Sequence, residues 1–405
     1  MPIPQDRAAT YINWLKQISV IPTAAGKEQR VVAWIERWVG EREDLTLTRD
    51  EHHNLTIALR DPPTTEAGPL YLTAHLDHPG FVVEAREGER LTLAFRGGVM
   101  DDYFPEARVI IHTDRGCAHR ATITARADGP QEPFKRFDAV LDDAHADVAP
   151  GDLGVWELPD MEVLPAPDGG EPVEGGVIFT NACDDLAAVA AALGVLEEAR
   201  LARARGESVA DLRVLFTLAE EIGFVGAIGA CRSESAPMNA RLICLENSRA
   251  DPKDSPIGAG PIVRVGDRVS VFSPELTAQV AKVAESLGSS AHPRATEKTS
   301  EARAFRWQRK LMAGGACEAS VFCAFGYNAT CVCLPLGNYH NMADLTAVQA
   351  GTNTTRARVG REHVALRDYL GMIELLFACA TSLGESPSFR ARLDKLWDER
   401  KFVLA

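Results

Sequence analysis

Five short runs of almost unbroken apolar residues recur along the chain: LYLTA (70–74), GVIFT (176–180), RVLFTLA (213–219), RLICL (241–245) and CVCLPL (331–336). Strands that are apolar on both faces must be covered on both faces, as in a parallel sheet sandwiched by helices. Helix-period segments lie between and around these runs, at 7–19, 27–41, 184–205, 224–232, 274–288 and 361–384. Over 27–41, Val31, Val32, Ile35, Trp38 and Val39 fall on one face, and Trp14 and Trp34 share that spacing. LTLTRD (45–50), NLTIALR (54–60) and a stretch around Val269–Phe272 read as further strands, and SVFCAFGYNATCVCLPLG (320–337) as a short helix followed by a strand.

Between 78 and 177 the pattern changes. FVVEA, RLTLAF, RVIIHT, RATITA and GVWEL are β-prone runs separated by turns, with no helix longer than two turns. The expected fold is therefore α/β, a mainly parallel α/β/α domain formed by 1–77 and 178–405. An all-β, barrel-like domain is inserted over 78–177. At 405 residues, two such domains suit the chain.

Forty-three basic against 57 acidic residues leave a net charge of −14. This speaks against nucleic-acid binding and polybasic membrane anchoring. No apolar run approaches a membrane span, and MPIPQDRAATYINWL lacks the pattern of a signal peptide, so a cytoplasmic location is expected. The nine cysteines include no CxxC pair, and Cys331-x-Cys333 is a poor zinc-ribbon spacing; reduced, mostly buried thiols are expected.

Ligand sites in open α/β sheets lie beyond the carboxyl ends of the strands. The apolar runs lead into His75-Leu76-Asp77, Asp184-Asp185, Glu220-Glu221, Glu246 and His340. Singly, these have plain readings: Asp184 as a helix cap, Asp185 as a first-turn acid, Glu220 and Glu221 as a solvated helix start. Together they form a nitrogen and oxygen donor set suited to zinc, cobalt or manganese. Two such ions about 3.5–4 Å apart can clamp and activate a water between them. That chemistry needs one bridging carboxylate, terminal ligands and a carboxylate left free as general base. Adjacent glutamates can supply a ligand and a base, and Asp77 can orient the imidazole of His75. Asp185 could exchange roles with Asp184.

PTAAGKEQRVVAWI, NLTIAL, AHLDHPGFVVE, ACDDLAAVAAALGVLE, FTLAEEIGFVGAIGA, LICLEN and GNYHNM resemble the co-catalytic two-zinc aminopeptidases of the MH clan. Within it the chain is most similar to the glutamyl-aminopeptidase and deblocking family that builds tetrahedral (TET) particles. The resemblance implies His75 and Glu246 on one metal, Asp184 bridging, and Glu221 and His340 on the other. It implies Glu220 as general base and Asp77 behind His75. It further implies two divalent ions, zinc with cobalt or manganese as alternatives, a peptide substrate, and a homo-oligomer, either a dimer or a dodecamer. Gly314–Glu318 resembles a segment lining substrate space and reads equally as a plain Gly-rich turn, His78 is a candidate substrate contact, and His292 a candidate for reaching a neighbouring site. The chain departs from the pattern at His78, where an acid is usual, at Leu186, where an arginine is usual, and over Asn341–Asp344. Glu246 stands where aspartate is common. A metal-dependent deacylase or carboxypeptidase-like amidohydrolase, and a non-catalytic metal-binding homologue, are the competing readings.

Overall fold

The computed structural model describes residues 3–63, 68–129, 131–167, 170–288, 305–383 and 389–404. The large sheet has eight strands, in the order Leu45–Arg49, Leu55–Leu59, Leu212–Thr217, Leu70–His75, Arg241–Arg249, Asn328–Leu336, Ile262–Asp267, Gln308–Met312. The central strands Leu212–Thr217, Leu70–His75, Arg241–Arg249 and Asn328–Leu336 are mutually parallel. Their carboxyl ends therefore open side by side. Antiparallel pairs flank them on both sides.

Helices cover both faces. On one, Leu186–Ala204 and Leu366–Ser382 pack with Ile243, Leu245, Val263 and Val332 into the main core. LAAVAAALGVLEEARLARA is built from strong helix formers and is buried almost all round, so it lacks a polar face over its first three turns. On the other, Val225–Arg232 and Glu318–Ala324 cover Tyr71, Leu215, Leu242 and Cys244.

Three sequence expectations are corrected. The strand near Val269–Phe272 lies instead at Ile262–Asp267; Val271 forms only a single bridge to Gly266. The Asp267 carboxylate accepts from the N–H of Val269 (2.8 Å) and Ser270 (2.9 Å), turning the chain where the strand was expected to run. Residues 361–384 do not form one helix: Glu362–Ala365 is a strand and the helix spans Leu366–Ser382. That strand pairs with Val177–Thr180, which lies outside the large sheet, in an antiparallel three-stranded sheet with Glu162–Leu164. An apolar run signals burial but not which sheet buries it. The strands Lys135–Leu141 and Gln308–Met312 and the exposed C-terminal helix Phe389–Arg400 carry no strong pattern in the sequence.

Six antiparallel strands between Gly80 and Trp156 close into a barrel. Phe81, Phe95, Phe104, Phe137 and Trp156 fill it, with Phe104 stacked on Phe137 at 4.0 Å. This core extends to Met342, Leu345 and Val348, and the Tyr103 hydroxyl donates to the Ala343 carbonyl (2.7 Å). The barrel is thus packed directly on the chain segment that follows His340. All nine cysteines are free thiols; Cys117 is exposed and seven are buried. Among the described residues no helix is long and apolar enough to cross a membrane.

His112, on a barrel strand, is held down to about 4 by burial and by Arg30. The unfolded chain therefore binds a proton near pH 6.5 that the folded chain refuses until about pH 4. This contribution to stability is present above pH 6.5 and is lost as pH falls towards 4. Denaturant unfolding across that window should show wild type losing about 2 kcal/mol relative to His112→Asn, after allowance for solvent screening.

Candidate active site

The site assembles where the parallel strands end. Leu70–His75 delivers His75 and, two residues later, Asp77; both are buried. The Asp77 carboxylate accepts from the backbone N–H of Glu220 (2.9 Å) and of Glu221 (3.0 Å). A sharp turn makes this reach possible. Ala219, just beyond the strand Leu212–Thr217, has φ 53°, a left-handed conformation uncommon outside glycine. Glu28 anchors the same turn, its Oε1 accepting from Ala219 N–H (3.0 Å) and Gly26 N–H (2.8 Å).

The two histidines present their ε nitrogens to one carboxylate. His75 directs Nδ1 at the Asp77 carbonyl (3.1 Å), leaving Nε2 3.4 Å from Asp184 Oδ1 and 4.0 Å from Glu220 Oε2. His340 directs Nδ1 at the Gly98 carbonyl (2.6 Å), leaving Nε2 3.6 Å from Asp184 Oδ2 and 3.3 Å from Glu221 Oε1. Because a carbonyl only accepts, Nδ1 carries a proton in each ring and Nε2 is the nitrogen left to bind a cation. Glu246 joins His75, Asp184 and Asp185, with donor atoms within 4.8 Å of one another. All seven residues expected from the sequence are thereby brought together. Asp184 Oδ1 is buried with no hydrogen-bond partner. Among the described residues, no lysine or arginine forms an ion pair with any of these acids. The donor set and this orphaned oxygen fit divalent metal ions.

The electrostatics agree. Burial pushes Glu220 and Glu246 well above the usual carboxylate range, and neighbouring carboxylates add to it. Burial opposes a charged His75, but Glu220, Asp184 and Asp77 outweigh it and raise its pKa; Glu221 and Asp184 do the same for His340. Asp184 is drawn below its usual range because His340 and His75 outweigh its burial. So much negative charge out of water calls for cations.

Glu362 escaped the sequence reading. Glu362 receives the N–H groups of Cys183 (2.7 Å) and Asp184 (3.0 Å) on one oxygen and of His340 (2.8 Å) on the other. One buried acid thus positions two distant segments; its signal was a glutamate placed in a run otherwise reading as a helix. Asp185 accepts from His75 N–H (3.2 Å) and the Asn247 amide (2.8 Å). Glu318 is buried at the start of the helix Glu318–Ala324, and burial raises it to about 7. His78 is tied down on both sides, at the Asp184 carbonyl (2.5 Å) and Asn341 Oδ1 (2.9 Å), and borders a cavity of about 270 Å³ beside the barrel. Its ring nitrogens are engaged within the protein rather than offered to a substrate. Leu186 is fully buried in the apolar core. His292 lies outside the described residues.

Histidines and carboxylates converging at the ends of a helix-covered parallel sheet define a metal-dependent hydrolase. Residues 56–356 match the model of the M42 glutamyl aminopeptidase family. The chain belongs to that family and is a metal-dependent aminopeptidase. No curated protein sequence matches it. Its fold is similar to that of a TET aminopeptidase from the marine sediment archaeon Thaumarchaeota archaeon SCGC AB-539-E09, with a TM-score of 0.69, 18% identity, and 93% and 97% of the two chains covered. It is also similar to aminopeptidase APDkam598 from Desulfurococcus kamchatkensis, with a TM-score of 0.68, 18% identity, and 93% and 95% covered. The TET1 peptidase of Pyrococcus horikoshii gives a TM-score of 0.68 at 19% identity, with 92% and 100% covered.

Asp77→Asn places an amide donor against two N–H groups that need acceptors. Metal affinity measured by competition with a chelator should fall about 10–100-fold, with the far-ultraviolet circular dichroism unchanged.

Proposed function

We propose that the enzyme removes residues from peptides with a free N-terminus, using two divalent ions, zinc in the first instance and cobalt or manganese as replacements. The observation that carries this reading is the division of Asp184. One of its oxygens faces His75 at 3.4 Å and the other faces His340 at 3.6 Å, the disposition of a carboxylate shared by two cations. His75 and Glu246 would hold one ion and Glu221 and His340 the other, with Asp184 between them. When bound, the ions supply Lewis acidity to the scissile carbonyl and lower the pKa of the attacking water.

The chain's own groups complete the reaction. Glu220 places its Oε2 4.0 Å from His75 Nε2 and is, in this reading, the carboxylate left free for proton transfer. It takes the proton of the attacking water and returns it to the leaving amine nitrogen. Burial favours its protonated form, which suits it to the second step. Asp77 holds the backbone of both glutamates and so sets their positions. The surplus of carboxylates provides a counter-charge for the substrate's α-ammonium.

Residues 1–77 with 178–405 form the catalytic domain in this reading. The inserted domain 78–177 serves assembly and substrate access. The Pyrococcus horikoshii TET1 peptidase assembles into a tetrahedron or a large octahedral shell. A homo-oligomer, dimeric or dodecameric, is proposed for this chain by analogy, with a cytoplasmic location.

Glu220→Gln should lower turnover by at least about 10²–10⁴-fold while the metal content, measured by plasma emission, stays at the wild-type value. Wild-type rates in that variant would remove Glu220 from the mechanism. Matched peptides with free and acetylated N-termini, followed by mass spectrometry, should show stepwise shortening of the free peptides only. Chelation should stop it and added zinc or cobalt restore it. Deacetylation of the blocked peptides without shortening of the free ones would point to a deacylase.

A further inference from the structure

A second cluster of metal-binding side chains lies on the barrel rather than at the strand ends. Cys117, His119 and Asp147 bring a sulfur, an imidazole nitrogen and a carboxylate oxygen within 4.8 Å of one another. Each is presented by a fixed piece of backbone. Cys117 closes a tight turn in which Thr113 N–H donates to the Cys117 carbonyl (2.9 Å) and Cys117 N–H to Thr113 Oγ1 (3.2 Å). His119 follows two residues later, at the start of the strand Ala118–Arg126, and so lies on the same side of the chain. Asp147 sits between Ala146 and Val148, whose side chains are buried in the barrel core. The guanidinium of Arg86 donates to the carbonyls of Ala144 (3.1 Å), Ala146 (2.6 Å) and Val148 (2.8 Å), clamping the backbone on both sides of Asp147. His119 Nε2 lies 2.6 Å from Asp147 Oδ1, and Arg115 is the further cation facing that carboxylate.

We infer that Cys117, His119 and Asp147 form a separate site for a borderline divalent ion such as zinc, which pins the 113–117 turn to the loop carrying Asp147. The donor set decides the class of ion: thiolate and imidazole exclude magnesium and calcium, and sulfur, nitrogen and oxygen with one open position suit tetrahedral zinc or cobalt. Bonds of about 2.0–2.3 Å place tetrahedral donors about 3.3–3.8 Å apart, so the trio has to adjust by about 1 Å or a little more. Partly exposed side chains can make that adjustment by rotation. Binding sends the Cys117 thiol proton to solvent and puts the ion on His119 Nε2, whose ring proton then resides on Nδ1. No electron transfer is involved.

Cobalt distinguishes this site from the strand-end cluster, because the proposed ligands there are all nitrogen and oxygen. Titration of the full chain with Co²⁺ should produce a near-ultraviolet thiolate-to-cobalt charge-transfer band. The band should fall at least tenfold in Cys117→Ser and in His119→Ala, and bound zinc should drop by one equivalent. Peptide hydrolysis by Cys117→Ser should match wild type. A missing band, or one of full intensity in Cys117→Ser, overturns the inference. Loss of the band with peptide hydrolysis intact leaves the proposed function untouched, whereas a Cys117-dependent band in an inactive enzyme overturns only the proposed function.

Discussion

Negative charge taken out of water is the constraint around which this structure is organised. Asp184, Asp185, Glu220, Glu246, Glu318 and Glu362 are all buried within one region at the strand ends. An uncompensated buried carboxylate costs several kcal/mol, so each must find donors. The backbone supplies many of them: Glu220 and Glu221 donate to Asp77, Cys183, Asp184 and His340 to Glu362, and His75 to Asp185. These bonds lock the segments that carry the proposed ligands. The remaining demand falls on the two histidines and on cations. Burial raises Glu28 and Glu362 to about 7, with the Asp77 carboxylate adding to it at Glu28 and the Asp184 carboxylate at Glu362.

The barrel takes part in that arrangement. His340 is oriented by the Gly98 carbonyl, which belongs to the barrel side of the molecule. The segment around it bends through left-handed residues at Asn338, His340, Asn341 and Asp344. Left-handed conformations cost energy for residues with a Cβ and persist where surroundings over-determine them. Here the surroundings are Met342, Leu345 and Val348 seated in the barrel core, the Tyr103–Ala343 bond and the Glu362 carboxylate. The barrel thus helps set the direction of one imidazole.

Much of this was legible in advance, and unevenly. The runs at 70–74, 213–219, 241–245 and 331–336 mark the four central parallel strands, the second of them overrunning its strand by two residues, because burial on both faces leaves an unmistakable apolar signature. The seven proposed site residues follow from reading what comes immediately after such runs. The run at 176–180 also ends in the right place, but its strand belongs to a different sheet, so the logic of the strand end reached Asp184 by a different geometry from the one expected. Glu362 could not be read at all: it is one glutamate in a four-residue strand, and its importance lies in three N–H groups from segments about 20 and about 180 residues away. The strand assigned near Val269 failed because a single aspartate turned the backbone, an effect that apolar periodicity does not encode.

The sequence by itself determined the alternation of strands and helices, the β-rich insertion and the kinds of donor atom at the site, since each is a property of residues close together in the chain. The tertiary structure alone decided which oxygen of Asp184 faces which histidine, which ring nitrogen is left free, and which acids merely hold others in place. Those depend on hydrogen bonds between segments remote in sequence, whose geometry exists only once the sheet has aligned its strand ends and the barrel has packed against them.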